Sequence, residues 1–336
     1  MRSLGLAVEE DDTGAETGAN AGNLLTRIPA PDGAPTIMLC AHMDTVPLTG
    51  PVEVVERDGV LENRHEAILG ADNKAAVVVL LEAARRFAGG GAPVGIELVF
   101  TVSEEPGLRG AKAFDISRLR AGYGFVFDHA SPIGEVITSA PTFYRIEAQL
   151  RGASAHAGIR PEDGRNAIAA AAAALARLEF GRLDAKTTAN VGLIEGGTAV
   201  NVVPERCRVV LETRSLDDAR ASENAQRIVD AFTEAASDAE CDVDTQVEQQ
   251  FRAYSLARAS EPVALAAAAL EARGIEPQFI STGGGSDAHV FNARGFPCVN
   301  VANGTQRNHQ PDESVTVHAL ETMRDVVLEM IRMAGT

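Results

Sequence analysis

The sequence predicts an α/β protein in which a mostly parallel sheet, flanked by helices, is interrupted by an inserted α+β module. Two observations predict it. Continuous apolar runs at residues 36–41, 95–102 and 122–127 are separated by helical patterns or loops, as strands buried on both faces are. Between residues 141 and 251 the runs alternate instead, as half-exposed strands do, and apolar α/β character returns after Tyr254. The expected division is therefore 1–140 with 252–336 as one domain, and 141–251 as an insert.

Bulk properties narrow the partners. At 336 residues the chain is long enough for two domains. A formal net charge of −17 disfavours nucleic acid and anionic membrane, since both repel it. No apolar stretch approaches a bilayer span, and the apolar run near the N-terminus is too short for a signal peptide. Cys40, Cys207, Cys241 and Cys298 form no CxxC pair, which reads as reduced core thiols. A cytoplasmic protein is expected.

In chain order, residues 4–8 read as a strand, 11–20 as a polar loop and 23–29 as a second strand. Residues 36–41 form a buried strand that ends at His42, with Asp44 two positions on. Side chains at i and i+2 share a face, and a carboxylate beside an imidazole orients it. An ordinary hydrogen-bonded pair would look the same. Residues 52–62 read as a hairpin turning at Asp58-Gly59. A helical pattern over 75–87 follows Gly70-Ala71-Asp72-Asn73, placing Asp72 at a helix start, where it is either a cap or a ligand. The strand at 95–102 runs into Ser103-Glu104-Glu105, a like-charge pair that needs balancing cations if buried and none if solvated. A helix near 110–114 precedes the strand at 122–127, which ends in Asp128. Potential metal ligands thus recur after apolar strands, where open α/β sheets place their sites.

The insert reads as strand 142–150, a flexible loop holding His156, helix 164–178, strands 188–194 and 207–213, helix 217–237 and strand 242–249. That β-α-β-β-α-β order is ferredoxin-like. Beyond it come a helix at 261–273, a strand at 277–280 and Gly283-Gly284-Gly285-Ser286-Asp287. The glycines suit either close backbone approach to a ligand or a plain turn. Residues 297–302 read as a last buried strand. They are followed by Asn308-His309-Gln310-Pro311-Asp312-Glu313 and a terminal helix over 316–333.

His42, Asp72, Glu105, Asp128 and His309 make a set of two imidazoles and three carboxylates. That set suits two zinc-like ions sharing one carboxylate, since one ion does not need five ligands. Glu104 is then free to serve as general base on a metal-bound water. Of the remaining histidines, His65, His289 and His318 fit no motif and read as surface or helix residues. His129 reads as structural or exposed, with substrate contact as the alternative.

Over nearly its whole length the sequence resembles the M20 metallopeptidases, especially the peptidase T (tripeptide aminopeptidase)-like branch. The resemblance is carried by Ala41-His42-Met43-Asp44-Thr45-Val46-Pro47, Leu69-Gly70-Ala71-Asp72-Asn73-Lys74-Ala75, Ser103-Glu104-Glu105, Asp128, Ala155-His156-Ala157-Gly158, Asn201-Val202-Val203-Pro204, Gly283-Gly284-Gly285-Ser286-Asp287-Ala288 and His309. It implies a zinc-exopeptidase-like catalytic domain with the insert as lid and dimerisation domain. It implies Asp72 bridging two ions, His42 and Asp128 on one, Glu105 and His309 on the other. Asp44 would orient His42, and Glu104 would act as base. His156 would stabilise the oxyanion, Asn201 and Arg214 would hold the substrate, and Gly284 would line the cleft. For Arg214 a simple salt bridge competes with that role. A cis peptide at Asp72-Asn73 is also implied. Members usually open with a helix ahead of residues 4–8 that this sequence lacks; the expectation is either a misassigned start or an exposed patch of core.

The expected activity is hydrolysis of amide bonds in short peptides by a di-zinc exopeptidase, with manganese or cobalt as alternative metals. An N-acyl-amino-acid amidohydrolase or carboxypeptidase shares the same site. A non-catalytic metal- or peptide-binding protein is the alternative of another class, disfavoured by a complete ligand set with its base. The expected partners are a small peptide or N-acyl amino acid and a second copy of the chain.

Overall fold

A computed structural model describes residues 1–130 and 132–335. The chain divides into two compact units, Met1–Ala140 with the chain from Tyr254 onward, and Pro141–Ala253.

The first unit is built on a nine-stranded sheet. Its centre is four parallel strands in the order Gly95–Thr101, Thr36–His42, Tyr123–His129, Cys298–Ala302. Antiparallel strands flank them: Leu24–Ile28 and Val8–Glu10 on one side, Glu135–Ala140 and Tyr254–Ser255 on the other. The period of two explains the continuous apolar runs. Ile37, Leu39 and Ala41 face one core with the helices Ala71–Phe87, Glu261–Ala272 and Val317–Met333. Met38 and Cys40 face the other, with Phe114, Phe291 and Phe296. A separate four-stranded sheet joins the hairpin Val54–Arg57 and Val60–Asn63 to Ser314–Thr316 and Thr305–Gln306. His309 lies on the loop between those last two strands.

Several local expectations are corrected. The first strand is Val8–Glu10, and Arg2–Leu4 is a single 3-10 turn that Gly5 ends in a left-handed conformation. Pairing with Leu24–Ile28, rather than local hydropathy, sets that strand. Thr13–Thr17 is a short helix inside the expected polar loop, too short to show a helical period. Glu135–Ala140 is a strand the sequence did not announce, defined by neighbours on both sides. Cys298–Ala302 is followed by two further short strands.

The second unit is an antiparallel sheet in the order Gly181–Arg182, Thr187–Gly196, Arg206–Ser215, Thr142–Arg151, Asp242–Phe251. Apart from the short first strand this is the ferredoxin-like order. Helices Ala167–Ala176 and Asp218–Asp238 share a core with Ile146, Ala148, Leu150, Val209, Leu211 and Phe232. The alanines of the first helix are packing residues. All four cysteines are buried and free, so Cys40 is a core residue. Among the described residues no helix is long and apolar enough to cross a membrane.

Candidate metal centre

Three parallel strands deliver their carboxyl ends to one place. His42 is the last residue of its strand and pairs in register with Thr101, so the chain leaving Thr101 emerges beside it. Ser103 then adopts a left-handed conformation (φ 50°), and Glu104 follows, buried. Asp128 lies in the third strand, near its end. Asp72 enters from the start of the Ala71–Phe87 helix, where its own backbone is non-helical and the Asp72-Asn73 peptide is cis.

The distances define two sides. His42 Nε2 lies 3.2 Å from Asp72 Oδ1 and 3.4 Å from Asp128 Oδ1. His309 Nε2 lies 3.3 Å from Asp72 Oδ2 and 3.0 Å from Glu105 Oε1. Each oxygen of Asp72 therefore faces a different imidazole. Ligand atoms of His42, Asp72 and Glu105 lie within 4.8 Å of one another, and so do those of His42, Glu104 and Asp128. Asp44 stands behind them. Its backbone oxygen is 3.1 Å and its Oδ1 3.5 Å from His42 Nδ1. Its carboxylate also accepts the backbone N–H groups of Glu104 (3.0 Å) and Glu105 (3.2 Å). Asp44 thus fixes the His42 tautomer and the Glu104 backbone at once.

Charge shows what this set lacks. Burial, then the negative charge of Asp128, pushes the Glu104 carboxyl well above its ordinary value. Burial pushes Asp128 up to about 7. Burial also opposes ionisation of Asp72, but hydrogen bonds from His309 and His42 outweigh it and hold that carboxyl low. Bonds to Asp72 and Glu105 raise His309 to about 10. Among the described residues these converging carboxylates have histidines and no arginine as ion-pair partners; such a set calls for cations, and a histidine–carboxylate donor set suits borderline divalent ions. The residues present fit two ions sharing Asp72.

Sequence reasoning missed the residues that support these ligands. Asn308 donates to Asp72 Oδ2 (2.9 Å), and its own buried Oδ1 has no hydrogen-bond partner. Asn300 brackets the Asp128 backbone, accepting its N–H and donating to its carbonyl. Asn73 donates to the Phe127 carbonyl and Asn303 donates to Asn73. Glu313 accepts the N–H groups of Leu69, Gly70 and Asp72. Asparagines after strands are common in loops, so residue type alone carried no signal. A glutamate four positions beyond His309 was the one visible hint.

In the first unit Gly284 is exposed, and a Cβ there would meet only Thr282 Oγ1 at 3.6 Å, so packing does not require glycine. In the second unit His156 is exposed and bridges to Val202, and the Ala157 N–H donates to the Asn201 carbonyl. The Gly158 N–H donates to His156 Nδ1 (3.2 Å), which leaves the neutral ring's proton on Nε2. Arg214 pairs with Glu212 through two N–H groups and stacks 4.2 Å over the Phe143 ring. His129 pairs with Glu135 at 3.0 Å. His289 is a helix residue but fully buried, its ring against Tyr254, rather than a surface residue.

Comparison with known proteins agrees with this geometry. The sequence profile of Peptidase family M20/M25/M40 matches residues 38–333. The uncharacterized protein YqjE of Bacillus subtilis (strain 168) is 36% identical over 333 residues, spanning 99% of this chain and 90% of that protein. The solved structure of aminopeptidase PepT from Bacillus cereus ATCC 10987 superposes with a TM-score of 0.89 at 37% identity, covering 100% of this chain and 90% of that one. A tripeptidase from Staphylococcus aureus subsp. aureus Mu50 gives 0.92 at 31% identity, covering 99% and 90%. With strand ends, ligand types and profile in agreement, the chain belongs to peptidase family M20/M25/M40.

Proposed function

We infer that this protein is a metallo-exopeptidase that hydrolyses amide bonds of short peptides. The observation that carries this is Asp72, whose two oxygens face two separate imidazoles beside the buried Glu104. The similar aminopeptidase and tripeptidase support peptides with a free N-terminus as substrates.

His42 and Asp128 would hold one divalent ion and Glu105 and His309 the other, with Asp72 shared. When bound, such ions polarise the scissile carbonyl and acidify the attacking water. Glu104, with its carboxyl raised by burial and by Asp128, takes the proton of that water on a carboxylate oxygen and returns it to the leaving nitrogen. Asp44 keeps the His42 proton on Nδ1, so that Nε2 offers its lone pair to the site. His156 carries its proton on Nε2 and would donate to the developing oxyanion. Asn201, Arg214 and Gly284 would contact the substrate; at Gly284 the open space where a side chain would stand supports that role.

Zinc is the proposed metal and the cytoplasm the proposed compartment, supported by free buried thiols throughout. A homodimer through the inserted lid module completes the proposal. It is supported by the Thr187–Gly196 strand, whose outer side is bonded at Thr187, Thr188 and Ala189 by residues 181–184 while Leu193 and Ile194 are exposed.

The test is a substrate screen on metal-stripped protein with zinc, manganese or cobalt restored. It compares tripeptides, dipeptides with free or blocked termini, and N-acyl amino acids. Metal-dependent cleavage of tripeptides with free N-termini is expected. Preference for N-acyl amino acids would move the assignment to the amidohydrolases, and no metal-dependent hydrolysis would refute the enzyme.

A further inference from the structure

We propose that Glu313 is a positioning residue that ties residues 69–72 to the His309 loop and so sets Asp72 and His309 against one another; this rests on the metal-centre reading above. Backbone N–H groups that lead into a helix need partners outside it. Residues 69–72 are such a lead-in: Gly70 precedes the Ala71–Phe87 helix, and Asp72 and Asn73 are non-helical inside it. Three of these N–H groups are taken by Glu313, with Oε2 accepting from Leu69 (2.8 Å) and Gly70 (2.7 Å) and Oε1 from Asp72 (2.8 Å). Both oxygens of Asp72 face His42, His309 and Asn308.

The same three bonds tie together the two loops that carry ligands. Residues 306–312 are exposed or half-buried, yet Glu313 is only 1% exposed. Arg307 (φ 54°) and His309 (φ 67°) both hold left-handed conformations, which are unfavourable for residues with a side chain and persist only where surrounding contacts impose them. The turn bonds Gln310 N–H to Arg307 O and Glu313 N–H to Gln310 O connect that strained stretch directly to its buried anchor. Glu313 therefore sets His309 against Asp72. Its loss is felt first by the ion on the His309 side, because the His42 side is held by strands.

The experiment is calorimetric titration of metal-stripped protein with Zn²⁺, and with Co²⁺ followed by visible absorption, for wild type, Glu313→Gln and Glu313→Ala. Thermal unfolding of the metal-free forms runs alongside. Wild type is expected to take two ions. Glu313→Ala is expected to keep one and bind the second about 10–100-fold more weakly, the size typical of losing a residue that orients a metal ligand, with an altered Co²⁺ spectrum. Glu313→Gln keeps one acceptor oxygen and is expected to fall between. If Glu313→Ala does not fold, the near-isosteric Gln variant decides. Two ions bound with wild-type affinity and spectrum in the folded variants would overturn the proposal. If wild type itself takes fewer than two ions, the two-ion reading fails first and the proposal falls with it.

Discussion

On the His42 side the candidate ligands grow from strand ends, whereas on the His309 side one of them hangs from an exposed loop. His42 is 2% exposed and is braced by Asp44 and the two neighbouring strands. The His309 side chain is 47% exposed and rests on a stretch with two left-handed residues. A sheet fixes ligand positions through many shared backbone bonds, so that side is largely preformed. A loop can do so only through an anchor, and Glu313 supplies it. The difference would make two ions held there unequal in how they depend on the rest of the fold.

The comparison can be broken in four ways. The largest effect is expected at Glu104, which both sides serve. Glu104→Gln should lower kcat by about 10²–10⁴ while dialysed protein still holds two ions. Near-normal turnover would remove Glu104 from the role of base. Next is His309→Ala against His42→Ala. The first should leave one tightly held ion and weaken the second more than 100-fold, beyond the range seen for outer partners. The second should impair the pair, since His42 lies within reach of both Asp72 and Asp128. Equal losses by titration in the two variants would mean the sides do not differ. Asp44→Asn keeps one acceptor but loses charge and one backbone bond, so metal affinity or kcat should fall about 10–100-fold. An unchanged variant would leave Asp44 with a purely local role.

The smallest effect lies outside the centre, and it shows what a carboxylate does when the protein supplies its own cations. In the second unit Glu147 receives two N–H groups of Arg208 and one of Arg145, which hold its carboxyl down to about 2. Its folded value lies below the unfolded value of about 4.3, so this stabilisation is present above that pH and fades as pH falls toward 2. Glu147→Gln should lower Tm by about 2–4 °C at pH 7 and by progressively less on acidification. A Tm difference that stays constant across that window would exclude the charge as its source. Added metal should raise Tm of the stripped protein and leave this difference untouched.

The placement of His42, Glu104, Glu105 and Asp128 was legible because they follow long apolar runs. Residues 36–41 and 122–127 could be placed as buried strands without any partner, and the side chains that follow them had one direction in which to emerge. Asp72 was legible as a helix start and as a candidate ligand, but not its tie to Glu313, which lies 241 positions later. His289, read as a surface or helix residue, is in a helix, but its burial was not legible because a six-residue helix shows no reliable apolar face. Residues 135–140 were missed because their strand character comes from neighbours rather than from their own pattern.

The sequence by itself determined which donors exist, that His42, Glu104, Glu105 and Asp128 come at or just after buried strands, and that an insert of ferredoxin-like order interrupts the chain. Local rules suffice for these, since hydrophobic periodicity and residue type act within a few positions. Only the tertiary structure decided that Glu313 binds the backbone at residues 69–72 while each Asp72 oxygen faces a different imidazole. Those bonds depend on where the small four-stranded sheet brings the His309 loop, and no local pattern encodes that meeting.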